Sequence, residues 1–214
     1  MTLDEATTAV MGPNGAGKST LLMALVGVLP FEGAIRVDGE DVSERGRAWR
    51  SSVFGYAPQA IQWPAKLSPR QVCETAADLR GVAGDLRGSA VGDALEMAGL
   101  TKVANKPSGS LSGGQRRRIS LAQAVVHRPK VLVLDEPTSE LDPIFCRQFA
   151  EIVSVLQADH QLLISTHLLD DVSNWPGDVM LISDGEATLM SSRELSVDRR
   201  TAVSDAFSRL ERAQ

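Results

Sequence analysis

The sequence predicts an α/β fold built on a mostly parallel sheet, because short apolar strand segments alternate with helical segments along the chain. A strand at residues 7–11 runs into a glycine-rich turn and a helix at residues 18–29. A continuous apolar run at residues 131–134 is typical of a strand buried on both faces of a parallel sheet. The chain has 214 residues, enough to bury its own core, so we expect one domain over residues 1–214.

Composition narrows the possible classes of function. The chain is 43% hydrophobic and 23% charged, as in ordinary globular proteins. Its net charge of -5 argues against binding to nucleic acid through an overall positive charge. Cys73 and Cys146 form no metal-ligand spacing, so neither a disulfide framework nor a zinc or iron–sulfur site is expected. The longest apolar stretch, residues 21–29, is about half of what a membrane crossing needs. We therefore expect a soluble protein of a reducing compartment.

The first half of the chain predicts a small antiparallel element and a helical subdomain. The helix at residues 18–29 is apolar all round and is expected to be buried. Strands at residues 34–37 and 40–42 are joined by Asp38-Gly39, a type I′ hairpin signal. Ser68 and Gln71 form a predicted capping box, and a later apolar stripe ends at Gly99 with Val91, Ala94, Leu95 and Ala98. We expect a helical subdomain at about residues 66–105, inserted in a core at about 7–65 and 106–190.

The last third returns to strands and helices. Asp142-Pro143 predicts the start of a helix that carries apolar residues at helical spacing, namely Phe145, Phe149, Ile152 and Leu156. Further strands are expected at residues 162–165 and 179–183, with Asp184-Gly185 as a second hairpin signal. A short C-terminal helix at about residues 198–212 carries the stripe Ala202, Val203, Ala206, Phe207 and Leu210.

A phosphate-binding loop follows the first strand. The pattern G-x-x-x-x-G-K-[ST] is satisfied at residues 12–19, and the context of strand, loop and helix disfavours an incidental glycine turn. Backbone N–H groups and the helix N-terminus would face phosphate oxygens. Lys18 would add charge at the β- and γ-phosphates, and the Ser19 hydroxyl would ligate Mg²⁺. The predicted nucleotide-binding residues here are Gly12, Pro13, Asn14, Gly15, Ala16, Gly17, Lys18, Ser19 and Thr20.

Two carboxylates follow the buried strand at residues 131–134. Asp135 and Glu136 stand at the carboxyl end of that strand, where α/β sheets place their ligands. We expect Asp135 to hold Mg²⁺ through water and Glu136 to orient or deprotonate an attacking water. A solvated turn is the alternative for this pair taken alone.

Four further segments carry a resemblance to a known family. Residues 111–115 (Leu-Ser-Gly-Gly-Gln) precede a helix that is expected to begin near Gly113. With the phosphate loop and the Asp135-Glu136 pair, they resemble the ATP-binding cassette (ABC) family. Tyr56-Ala-Pro-Gln59 resembles the Q-loop of that family, Ser139-Glu-Leu-Asp142 its D-loop, and Ser165-Thr-His167 its switch histidine. All six motifs occur in the family's order.

The resemblance implies a P-loop NTPase fold with a RecA-like core, and ATP and Mg²⁺ as cofactors. Two copies, as a homodimer or as a heterodimer with another cassette, would enclose two ATP molecules. The implied catalytic residues are Glu136, His167 and Gln59, with Ser19, Gln59 and Asp135 at the metal. Residues contributed across the dimer would be Ser112, Gly113, Gly114, Gln115 and Asp142.

The implied function is the ATPase subunit of an ABC transporter, with similarity to exporter-type cassettes. It would lie on the cytoplasmic face of the membrane beside a separate permease, with no nucleic-acid partner. One alternative is a soluble cassette ATPase acting on DNA or ribosomes, although the coiled-coil, zinc or second-cassette features of that class are absent from the sequence. Another is a truncated remnant with little turnover: residues 1–11 hold no aromatic side chain for adenine, so we expect a truncated antiparallel element and a miscalled start or a shortened gene.

Other conspicuous residues receive structural interpretations. The basic run Arg116-Arg117-Arg118 is expected to be a solvated helix face. His127 and His160 stand in no recognisable pattern and are interpreted as structural. The three tryptophans follow no period that would make a base-stacking platform.

Overall fold

A six-stranded sheet, flanked by helices, forms the centre of the computed structural model, which describes residues 2–139, 143–195 and 198–212. The side chains at 143–145 and 210–212 lie outside the described set, as does Asp142, whose predicted capping role is therefore not addressed. The strands are β1 (Thr7–Met11), β2 (Arg36–Val37), β3 (Glu40–Asp41), β4 (Phe54–Ala57), β5 (Val131–Leu134), β6 (Gln161–Thr166), β7 (Asp178–Ser183) and β8 (Glu186–Met190). The helices are α1 (Lys18–Leu25), α2 (Arg47–Val53), α3 (Pro69–Leu79), α4 (Gly84–Met97), α5 (Gly113–Val125), α6 (Pro143–Leu156), α7 (Leu169–Asn174) and α8 (Arg199–Arg212).

The sheet is parallel except at one edge, which confirms the predicted fold class. Its order is β4-β5-β6-β1-β7-β8, and only β8 runs antiparallel to its neighbour. Every residue of β1 and β5 is buried, as expected for central strands covered on both faces. The carboxyl ends of β4, β5, β6 and β1 therefore meet at one edge of the sheet.

Successive side chains of each strand point into two apolar clusters on opposite faces of the sheet. Ala9 and Leu132 belong to one cluster, and their neighbours Val10 and Val133 belong to the other. The first cluster also takes buried side chains from α3, α4, α5 and α6. The second takes Leu22 from α1. The helices at residues 69–97 and the sheet share one apolar cluster, so the packing does not mark a boundary between a core and a helical subdomain. That division stays a prediction.

Helix α1 is shorter and less buried than the sequence predicts. It ends at Leu25 instead of residue 29, because Gly27 adopts a left-handed φ of 75°. The Val28 N–H donates to Met23 O at 2.8 Å and the Gly27 N–H to Ala24 O at 3.0 Å, which is a Schellman motif. The expectation of complete burial is wrong, since Leu21, Met23 and Leu25 are only half-buried.

The predicted hairpins and helix caps are confirmed, with shorter strands in the first hairpin. Strands β2 and β3 form their own two-stranded sheet, and their turn has positive φ at Asp38 and Gly39, as a type I′ turn requires. The Ser68 side chain accepts from the Gln71 N–H, which completes the capping box of α3. The stripe on α4 is buried at Val91, Ala94, Leu95 and Ala98.

The short elements α2, β4 and α7, with seven, four and six residues, are not predicted by the sequence. Neither are two 3-10 turns at Thr101–Val103 and Ser108–Ser110. Helix α8 agrees with the prediction in that Val203 is buried. Phe149 is buried on α6, whereas Phe145 and Leu210 have undescribed side chains. Among the described residues, no helix is both long and apolar enough to cross a membrane.

Candidate functional site

An open cleft of about 610 Å³ lies at the carboxyl edge of the parallel strands. It brings together the phosphate loop that follows β1, Gln59 after β4, Glu136 after β5, and His167 after β6. Four separate connections thus meet at one place, as expected for the ligand edge of an α/β sheet. The full lining consists of Asn14, Gly15, Gly17, Lys18, Ser19, Thr20, Gln59, Glu136, Ser139, His167 and Leu168.

The phosphate loop has the backbone conformation that its glycines permit. Gly15 and Gly17 have φ of 86° and 97°, and an added Cβ at Gly12 would lie 2.4 Å from Ile182 O. Gly17 is the N-cap of α1 and provides no side-chain hydrogen bond. The first-turn N–H groups of α1 therefore have no side-chain cap, which suits an anion at this helix N-terminus.

Lys18 extends back along the loop into the cleft. Its Nζ donates to Gly12 O at 2.8 Å and to Pro13 O at 3.0 Å, and the side chain is only 5% exposed. The same ammonium lies 3.5 Å from Oε1 of Glu136. Because an ammonium has three N–H donors, two are taken by carbonyls and the third is directed toward the carboxylate.

The Glu136 carboxylate is contacted by three other side chains of the cleft, Lys18, Gln59 and His167. Its Oε2 accepts from Gln59 Nε2 at 2.9 Å and lies 3.3 Å from His167 Nδ1. The three predicted catalytic residues are thus in direct contact. Glu136 also has a φ of 44°, a left-handed conformation that is uncommon for a residue with a side chain.

Asp135 lies beneath the cleft and does not line it. Its Oδ1 accepts from Ser165 Oγ at 2.6 Å, and the side chain is buried. Burial, together with the nearby Asp135 carboxylate, raises the pKa of Tyr56 to about 12, so that hydroxyl stays a hydrogen-bond donor. Ser19 and Gln59 line the cleft, so of the three predicted metal ligands only Asp135 is set back.

The donor set fits Mg²⁺ only with help from a nucleotide. Within the described ranges, no group of three or more His, Cys, Asp or Glu side chains is arranged to hold a metal ion. A serine hydroxyl, one amide and one carboxylate instead suit an octahedral ion that takes its other ligands from phosphate and water.

The residues at 112–115 form an exposed helix N-terminus and are not brought into the cleft of their own chain. Ser112 Oγ accepts from the Gln115 N–H at 3.2 Å, and the Ser112 N–H donates to Gln115 Oε1 at 3.1 Å. This capping box begins α5, as the sequence predicts near Gly113. Ser112 and Gly113 are exposed, whereas Gly114 is half-buried.

The basic run on α5 is not a simple solvated face, so that prediction is wrong. Arg117 is half-buried and donates to Glu136 O and to Ser139 Oγ, while Arg116 donates to Leu111 O and Arg118 to Gln148 Oε1. Ser139 and Leu168 also line the cleft, although neither is predicted as a site residue. Ser139 begins the segment that resembles the D-loop, and Leu168 directly follows the predicted catalytic residue His167.

The two other histidines lie away from the cleft lining. His127 Nε2 lies 3.2 Å from Phe54 O, and a ring nitrogen of His160 contacts Pro129 O. Burial lowers the pKa of His127 to about 4, with the Arg80 charge contributing in the same direction.

Known proteins share this sequence pattern. A family model described as "ABC transporter" matches residues 3–139. An uncharacterized ABC transporter ATP-binding protein, YxlF of Bacillus subtilis, is 34% identical over 197 residues, covering 91% of this chain and 65% of its own length. A probable multidrug ABC transporter ATP-binding protein, YbhF of Escherichia coli, is 36% identical over 84% of this chain and 31% of its own. A Nod factor export ATP-binding protein of Burkholderia thailandensis is 36% identical over 82% of this chain and 58% of its own. The chain therefore spans less than two thirds of the length of these relatives.

Solved structures share the fold at lower sequence identity. An ATP-binding subunit of an ABC transporter superposes with a TM-score of 0.83 at 21% identity, over 99% of this chain and 90% of that one. A bacterial ABC transporter cassette solved as a dimer gives a TM-score of 0.80 at 23% identity, over 90% of this chain and 88% of that one.

Proposed function

The chain belongs to the ABC transporter family, and we propose that it is the subunit that binds and hydrolyses ATP to power transport through a separate membrane permease. The observation that carries this proposal is the approach of Lys18 to Glu136 across the cleft. Both side chains are at least nine-tenths buried, and their charged atoms are 3.5 Å apart. Lys18 would hold phosphate, and Glu136 would act on water.

The first step is phosphate binding. A phosphate oxygen in the cleft would compete with Glu136 for the third N–H of Lys18, while the two bonds to Gly12 O and Pro13 O keep the ammonium in place. Bound Mg²⁺ would supply charge neutralisation at the phosphates, with Ser19, Gln59 and Asp135 as the residues that hold it. Once Lys18 engages phosphate, Oε1 of Glu136 becomes available to accept a proton from water.

Gln59 and His167 then set the direction of the Glu136 carboxylate. Both contact Oε2, so Oε1 is the oxygen that faces Lys18 and the phosphate loop. His167 lies at the cleft wall with about a third of its side chain exposed, where it can also donate to a phosphate oxygen. Glu136 is thus proposed as the general base, with Gln59 and His167 as the residues that orient it.

A second copy of the cassette would complete each site. The capped N-terminus of α5 at Ser112 is exposed and lies outside the cleft of its own chain, so it can meet the nucleotide of another copy. The partner is a second copy of this chain or a related cassette. Asp142 is proposed at the same interface on the family resemblance alone.

ATP turnover of two matched carboxylate variants tests the enzymatic proposal. Glu136→Gln keeps the size of the side chain and removes the base, so ATP binding should persist while hydrolysis falls at least about 100-fold. Glu151→Gln, an exposed change on α6, is the control and should leave turnover unchanged. Equal turnover in the two variants would contradict the role of Glu136. ATP binding without turnover in the wild type would favour a remnant that no longer hydrolyses ATP.

Co-purification from the native host tests the transport proposal. A subunit at the inner face of the membrane should be recovered in the membrane fraction with an integral membrane protein. Recovery only with ribosomes or DNA would overturn the transporter assignment and favour a soluble cassette ATPase.

A further inference from the structure

We propose that Arg117 is a positioning residue for Glu136, fastening its backbone to the helix that begins at Ser112. The inference rests on the proposed ATPase function and adds to it a residue that does not itself line the cleft. Arg117 lies on α5, and its guanidinium reaches the carbonyl of Glu136 and the hydroxyl of Ser139.

The Glu136 carbonyl is held by three donors. They are the Arg117 guanidinium, the Ser139 N–H at 3.3 Å and the Ser139 hydroxyl at 3.1 Å. Arg117 also donates to Ser139 Oγ at 2.7 Å, which leaves the hydroxyl hydrogen for the carbonyl. A single guanidinium nitrogen, Nη2, therefore contacts both ends of the turn at residues 136–139, since it carries two N–H donors.

The Glu136 N–H is held by a different part of the chain. It donates to Ser165 Oγ at 2.8 Å, and that hydroxyl donates in turn to Asp135. Both backbone groups of Glu136 are thus bonded to side chains while the residue holds its φ of 44°. A residue with a side chain keeps this left-handed conformation only when its surroundings enforce it. Without the guanidinium, the turn loses its strongest carbonyl contact, and the carboxylate loses its fixed direction.

Arg117 also connects Glu136 to the surface where a second cassette is proposed to dock. Ser112 caps α5 and Arg117 follows within the first two turns of the same 13-residue helix. A displacement of this helix at its exposed N-terminus moves the guanidinium with it. Contact at Ser112 is therefore transmitted to the backbone of Glu136.

Steady-state ATP turnover of four proteins tests this role. They are the wild type, Arg117→Gln, Arg117→Lys, and the control Arg118→Gln, which removes the next arginine of α5, whose guanidinium donates to Gln148 Oε1. Arg117→Gln should lower kcat about 10- to 100-fold with KM for ATP within about twofold, because misplaced catalytic groups lose rate and not binding. Arg117→Lys should recover part of the rate, and Arg118→Gln should match the wild type.

Several outcomes would overturn the proposal: a kcat for Arg117→Gln within twofold of the wild type, an equal loss in Arg118→Gln, or a change confined to KM. Hydrogen exchange of the amides at residues 136–139 gives a second readout that needs no turnover. Exchange there should be about tenfold faster in Arg117→Gln than in Arg118→Gln. Equal exchange rates would refute the positioning role of Arg117. Absence of turnover in the wild type would refute the proposed ATPase function instead, and the exchange comparison would still decide the role of Arg117.

Discussion

Replacing Lys18 with alanine should weaken ATP binding while leaving the fold intact. The change removes an ammonium that is held by two loop carbonyls and lies 3.5 Å from Glu136 Oε1. The lysine side chain sits at an open cleft, so water can replace its donors at Gly12 O and Pro13 O after the substitution. Glu136 keeps its contacts with Gln59 and His167.

The size of the effect follows from the bond that a phosphate would lose. One charge-assisted hydrogen bond contributes about 1.5–3 kcal/mol, which corresponds to about 10- to 150-fold in affinity. Isothermal titration of Mg-ATP into Lys18→Ala should give a dissociation constant raised by that factor. The control Lys102→Ala removes an exposed lysine and should bind as the wild type does. An affinity within twofold of the wild type in Lys18→Ala would refute the assignment of the phosphate loop.

Three further changes test packing and electrostatics away from the cleft. Gly55→Ala would place a Cβ 2.1 Å from Ala124 O, so urea denaturation should show that the free energy of unfolding falls by about 2–4 kcal/mol. A decrease of less than about 1 kcal/mol would contradict the close approach of β4 to α5. Gly88→Ala, on the exposed face of α4 with open space around the added Cβ, should stabilise by up to about 1 kcal/mol, and destabilisation would contradict that helix. His127 has a pKa lowered to about 4, so the unfolded chain binds more protons between pH 4 and 6.5, and stability should fall as pH drops through that window. His127→Gln should remove about 1–2 kcal/mol of this dependence, a value reduced for the partial exposure of the ring; an unchanged pH profile would contradict it.

The sequence predicted well wherever a local pattern determines the structure. The capping box at Ser68, the turn at Asp38-Gly39 and the buried run at residues 131–134 are all confirmed, because each depends on residues within a few positions of one another. The convergence of Glu136 and His167 was also predictable, since each follows a predicted strand and parallel strands end at one edge, whereas Gln59 follows the unpredicted strand β4.

What the sequence missed depends on contacts between distant segments. Strand β4 has only four residues, and it becomes a strand by pairing with β5. The first residue pair of that ladder joins Phe54 to Val131, which lies 77 positions later in the chain. Arg117 lies in a run of three arginines, which is typical of a solvated helix face. Its contacts with Glu136 and Ser139 arise only when α5 packs beside the end of β5. The early end of α1 did have a local signal in Gly27, which the apolar run around it concealed.

The central claim is that ATP held at Lys18 brings two cassettes together and that Glu136 ends this state by hydrolysis. The most direct measurement is the solution mass of the Glu136→Gln protein by light scattering, with and without Mg-ATP. We expect the mass to double from the 22.9 kDa of one chain when ATP is added and to stay doubled, whereas the wild type should return to one chain as ATP is consumed. A variant that binds ATP and keeps the mass of one chain, or a wild type whose mass never follows ATP consumption, would contradict the account.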